Sequence, residues 1–120
     1  MPAYLLLLHE NPADWRELAP EEMQRVIEKY GAWSRALAER GQLVGGEKLR
    51  DDGGRHVRPN GVNASRSALV TDGPYAEARE VIGGYFLVRA GDYDAAAAIA
   101  GECPHLARGW VEVREIEPTP

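Results

Sequence analysis

The chain has 120 residues, 44% of them hydrophobic, and a formal net charge of -5, which suits one domain with its own core and no need of a disulfide or structural metal. Its single cysteine, Cys103, excludes an internal disulfide and fits a reducing compartment. The basic residues are scattered, and Arg55-His56-Val57-Arg58 is too short to make a patch, so no nucleic-acid partner is expected.

In chain order, Ala3 to His9 is a compact apolar run that stops at Glu10-Asn11-Pro12, which predicts a buried strand. It is too short for the apolar core of a signal peptide, and nothing in the chain approaches a membrane span. A cytoplasmic protein without membrane contact is the expectation. Residues 11 to 19 read as a loop holding Trp15. A helix is predicted from Pro20, with Glu21 and Glu22 at the positive end of its dipole and Ala19 as a poor N-cap. Met23, Val26, Ile27, Tyr30, Trp33, Ala36 and Leu37 form its apolar stripe, and Gly41 ends it.

Leu43 to Leu49 reads as a strand broken by Gly45-Gly46, a pattern that predicts a bulge or the close approach of another backbone or a ligand. His56-Val57-Arg58 is expected as a short edge strand, with Asn60-Gly61 as a hairpin-type turn. Strands follow at 67–71 and 81–89, then an alanine-rich helix capped by Asp92. A loop over 101–108 holds Cys103-Pro104-His105. A last strand over 109–116 sets Trp110, Glu112, Arg114 and Ile116 against Val111, Val113 and Glu115 on opposite faces. The order predicts an α+β fold of ferredoxin-like split βαβ topology with an inserted hairpin. Two helices cover one face of a mainly antiparallel sheet. Apolar residues of both parities in strands 3–8 and 81–88 leave the second face to be covered by a partner, so a two-fold homodimer with opposed sheet faces is expected.

Chemistry concentrates in Asp72-Gly73-Pro74-Tyr75-Ala76-Glu77, a tight loop between strands. Asp72 is a candidate general base or polar anchor, and equally a turn-forming residue. Glu77 is a candidate ligand-binding group or the partner of Arg66 or Arg79. Tyr75 offers a hydroxyl to a ligand or fills an apolar place. His9, at the end of the first strand beside Glu10, is the second candidate catalytic group, or a hydrogen-bonded surface residue. His105 is a candidate ligand-binding residue. A Cys103–His105 nucleophile pair competes with an inert buried thiol. Cys103-x-His105 is too solitary for zinc, and neither Gly45-Gly46 nor Gly83-Gly84 forms a phosphate loop. Neither metal nor cofactor is expected.

Asp72-Gly73-Pro74-Tyr75-Ala76-Glu77 followed by Glu80-Val81-Ile82-Gly83-Gly84-Tyr85-Phe86 resembles the signature of DGPF proteins, a subgroup of the YCII-related family of dimeric α/β-barrel proteins. Tyr4 to His9, Leu18 to Glu22 and the Cys103 to Arg114 segment resemble that family's first strand, helix start and C-terminal region. Tyr75 stands where phenylalanine is common, and Ala19 where serine is usual. The resemblance implies an uncharacterised dimeric protein. One relative is reported as a dehydrochlorinase of a chlorinated hydroxyquinol, and a His–Asp pair has been proposed for the YCII branch. Here Pro20 to Val26 holds no histidine and Cys103 replaces the aspartate, so that pair does not carry over. The resemblance also implies a link to extracytoplasmic-function sigma factors. Two functions therefore stand: a small-molecule site near Asp72-Gly73-Pro74, either that of a cofactor-independent enzyme or purely binding, or a non-enzymatic interaction module with a regulatory protein partner.

Overall fold

The computed structural model describes residues 1–60, 68–72 and 80–119. Strand β1 (Ala3–Glu10) leads into a short helix α1 (Pro12–Arg16) and a long helix α2 (Pro20–Glu39). Strands β2 (Leu43–Lys48), β3 (Arg55–Pro59), β4 (Ala68–Asp72) and β5 (Val81–Arg89) follow, then helix α3 (Tyr93–Gly101), a 3-10 turn (Pro104–Ala107) and β6 (Gly109–Glu115). The main sheet has the order β2-β5-β1-β6 with antiparallel pairing throughout, and β3 and β4 form a separate two-stranded ribbon. With the ribbon set aside this is the ferredoxin-like split βαβ order that the sequence predicts.

The helix ends follow the residues. Asn11, expected in a loop, instead caps α1 by accepting from the Ala13 N–H at 3.0 Å. Its side chain turns a strand exit into a helix start, a local bond that hydrophobic periodicity cannot signal. Alanine cannot cap α2. Glu22 reaches back to the Ala19 N–H at 3.4 Å, the half of a capping box that an alanine permits. Asp92 caps α3 as expected, accepting from the Ala95 N–H at 2.8 Å.

Tyr4, Leu6, Leu8 and Glu10 share the covered face of β1. Tyr4, Leu6 and Val88 pack there against Leu37 of α2 and Ala96, Ile99 and Ala100 of α3. Leu6 and Leu37 are fully buried, so truncating either to alanine costs about 2–5 kcal/mol. Leu5, Leu7 and His9 alternate onto the other face, beside their neighbours Leu87, Tyr85 and Ile82 on β5 and Arg114, Glu112 and Trp110 on β6.

Two irregularities shape the site. The β2–β5 register slips between Leu43 and Gly45, so Val44 is the extra residue of a bulge beside the Gly45-Gly46 pair. The β1–β5 register slips between Leu8 and His9, so Gly83 is the extra residue of that bulge. The expected strands at 56–58 and 67–71 are the ribbon strands β3 and β4. The Asn60-Gly61 turn between them falls partly outside the described residues.

Candidate functional site

A cavity of about 370 Å³ opens between α2, the 3-10 turn and the end of the sheet where β1 meets Gly83. Its volume lies in the usual range of small-molecule pockets. Leu8, Met23, Val26, Ile27 and Phe86 give it apolar walls, joined by the rings of Trp15 and Tyr30. The carboxyl of Glu10 closes one end.

Glu10 continues the buried parity of β1, so its carboxyl is carried under the helices with the leucines, at 6% exposure. Space for it comes from Gly83, where a Cβ would overlap the Glu10 carboxyl group. Among the described residues the Glu10 carboxyl group has neither a hydrogen-bond nor an ion-pair partner. Burial raises its proton affinity above the ordinary carboxylate value. The Lys48 ammonium opposes that shift and Asp51 adds to it. Lys48 and Asp51 sit at the exposed rim, bonded to each other at 2.8 Å.

His105 is held from both sides. Its Nε2 lies 2.7 Å from the carbonyl oxygen of His9, which can only accept, so Nε2 carries a proton. Its Nδ1 lies 2.7 Å from the Tyr30 hydroxyl. Burial disfavours the imidazolium, so the ring is neutral, Nδ1 accepts, and Tyr30 donates. Burial chiefly, with Cys103 and Glu10 nearby, pushes the Tyr30 phenol far above its ordinary range. Gly109 makes this packing possible: a Cβ there would overlap the His9 carbonyl and approach His105 Nε2 at 2.6 Å. The Trp15 ring lies 6.1 Å from the His105 ring and 5.9 Å from the Arg108 guanidinium. Trp15 Nε1 is buried with no hydrogen-bond partner among the described residues.

Of the residues singled out from the sequence, His105 lines the cavity. His9 lies on the uncovered sheet face, stacked on Trp110 with ring centroids 3.8 Å apart and bonded to Glu112 at 2.9 Å. That bond, more than any other influence, holds the Glu112 carboxyl below its ordinary range. Asp72 is an exposed ribbon residue 3.3 Å from Arg55 and does not line the cavity. Tyr75 and Glu77 lie outside the described residues. Cys103 is buried, and burial raises its thiol. Both ring nitrogens of His105 are engaged elsewhere, so that ring is not a base for the thiol.

The model of the YCII-related domain matches residues 3–120. The chain belongs to the YCII-related family. No curated protein resembles it significantly. Within this YCII-related protein, the carboxylate that closes the cavity is Glu10, a residue passed over in favour of its neighbour His9. Strand parity was the available signal, because Glu10 is in phase with Tyr4, Leu6 and Leu8.

Proposed function

We propose that this YCII-related protein binds a small, largely apolar molecule in the Glu10 cavity and acts on it as a cofactor-independent enzyme. The observation that carries this reading is a buried carboxyl group, without a side-chain partner among the described residues, lining an apolar chamber. A buried charge without a partner costs free energy, and sites that keep one are enriched in function. On this reading the small-molecule site lies at Glu10 and Gly83, near the start of β5, and does not include Asp72. The test is binding of the neutral fluorophore N-phenyl-1-naphthylamine. The wild-type protein is expected to bind it with enhanced emission, and Val26→Trp, which fills the chamber, to abolish binding. Equal binding by the filled variant would refute the site.

Residues 72–77 and 80–86 support placing the chain in the DGPF subgroup, and the buried free thiol of Cys103 supports a reducing, cytoplasmic setting. A homodimer is supported by the outer sheet face, where Leu5, Leu7, Tyr85 and Leu87 lie on the side opposite the helical core. Light scattering should give twice the chain mass for the wild type and a monomer for Leu7→Asp. A wild-type monomer would refute the assembly.

One observation favours the second reading, an interaction module serving a regulatory protein of the sigma-factor type. The β3–β4 ribbon exposes Val57, Leu69 and Val70, and a two-stranded ribbon is marginally stable alone. Retention of such a partner by the wild type, and its loss on Val57→Asp, would support this reading.

A further inference from the structure

The protons around the chamber can be accounted for one group at a time. Tyr30 spends its hydroxyl proton on His105 Nδ1, and His105 spends its only ring proton on the His9 carbonyl. The phenol therefore turns only lone pairs toward the cavity. The Lys48 ammonium is held at the rim by Asp51 at 2.8 Å and by the Leu49 carbonyl at 2.9 Å. Trp15 Nε1–H is a buried donor without an acceptor, and an indole donates a hydrogen bond without surrendering its proton. Glu47 and Asp51 also line the cavity, but both are exposed. The buried carboxyl is Glu10, without a side-chain partner among the described residues and able both to take a proton and to return it.

We propose that Glu10 is the acid–base group of a 1,3-proton shift on a small, neutral, apolar carbonyl compound whose oxygen accepts from Trp15 Nε1–H. The inference rests on the chamber being the ligand site. For a β,γ-unsaturated ketone the step balances without any co-reactant. A Glu10 carboxylate oxygen bonds the α-proton. The C–H electron pair forms a new double bond to the carbonyl carbon, and the carbonyl π pair moves to oxygen. The resulting dienolate oxygen is held by the indole N–H, a fixed donor in a site with few other dipoles. Glu10 then returns the proton to the γ-carbon. The oxygen pair re-forms the carbonyl, and the remaining double bond ends in conjugation. Glu10 is again a carboxylate and nothing has been consumed.

Two features select this class of substrate. The walls offer hydrocarbon contacts from Leu8, Val26 and Phe86, which favour an uncharged body. Raised proton affinity at Glu10 makes it a stronger base than a solvated carboxylate, which is what a weakly acidic carbon requires.

The test uses the full chain and cyclohex-3-en-1-one as the probe. Saturation-transfer NMR reads binding, and ultraviolet absorbance reads the conjugated product. The wild-type protein is expected to give both signals. In deuterated water part of the γ-hydrogen of the product should be protium from the α-position, the signature of one base. Glu10→Gln should keep saturation transfer and lose about 10²-fold or more of the isomerisation rate. Trp15→Phe should lose about 10²-fold, as for one oxyanion donor. Val26→Trp should lose both signals. Binding without isomerisation, or isomerisation undiminished in Glu10→Gln, overturns the proton shift and leaves the chamber standing. Absence of saturation transfer with the wild type overturns the chamber as a site for such carbonyl compounds and the shift with it.

Discussion

Alanine at Gly83 and alanine at Gly109 look like the same conservative change, yet the structure predicts opposite outcomes. Neither glycine has positive φ, so both backbones accept a side chain, and the cost depends on what the new methyl meets. At Gly83 it meets the carboxyl end of Glu10, with the Glu10 Cγ at 3.1 Å. A flexible side chain can leave. Turning it out costs about 0.5–1.5 kcal/mol if it ends off a rotamer, offset by about 0.4–1 kcal/mol from the less flexible unfolded chain. The net change lies within about 1 kcal/mol, a few degrees in melting temperature. At Gly109 the methyl meets the His9 carbonyl and the His105 ring, neither of which can move without breaking the bond between them. Overpacking costs about 1–3 kcal/mol. Leaving a buried group of that pair unsatisfied adds about 1–3 kcal/mol. Thermal melts read the stability, and carbon NMR of the Glu10 carboxyl reads its titration. Gly83→Ala is expected to melt near the wild type while Glu10 titrates closer to an ordinary carboxylate. Gly109→Ala is expected to be destabilised several-fold more. Equal destabilisation, or an unchanged Glu10 titration in Gly83→Ala, would refute the account of how the carboxyl is housed.

Glu10→Gln should stabilise the protein in a pH-dependent way. The folded carboxyl holds its proton above the ordinary value of 4.5. Above that pH the unfolded chain ionises first, the native state binds more protons, and wild-type stability falls until the folded carboxyl has ionised too. The advantage of the glutamine should therefore be absent in acid, grow as pH rises from about 4.5, and then level off. Denaturant melts across pH check this, and a constant difference would contradict it. Tyr30→Phe leaves His105 Nδ1 buried without a donor and should cost about 1–3 kcal/mol. Nitrogen NMR of the wild type should find the His105 proton on Nε2, and the opposite tautomer would break the proton accounting around the cavity. Cys103 should resist iodoacetamide in the folded protein, because its thiol is buried and raised. Alkylation at the rate of a free thiol under native conditions would contradict that.

Helices α2 and α3, the main-sheet strands and the bulge beside Gly45-Gly46 were legible because period and punctuation are local properties. Met23 to Leu37 could face only one way, and Asp92 could cap only what followed it. The site was less legible because it is assembled from the end of β1, α1, α2, β2, β5 and the 3-10 turn. Asp72 stood out by the density of polar residues around it, yet its carboxylate lies on an exposed ribbon beside Arg55. His9 stood out by residue type, although strand parity turns it away from the helices and turns Glu10 toward them. The pairing of Tyr30 with His105 spans 75 residues, a separation at which no sequence pattern operates. Nothing in the sequence marks Gly83 as the space for a carboxyl group, because the residue that fills it lies on another strand.

The amide linking His9 to Glu10 has a consequence of its own. The His9 imidazole stacks on Trp110 at the outer sheet face, the His9 carbonyl accepts from His105 behind the cavity wall, and the next side chain closes the chamber. A single rigid plane thus reaches both sides of the sheet. Because the His105 bond pins that carbonyl, the end of the chamber and the stacked pair on the outer face are held by one peptide group and cannot shift independently.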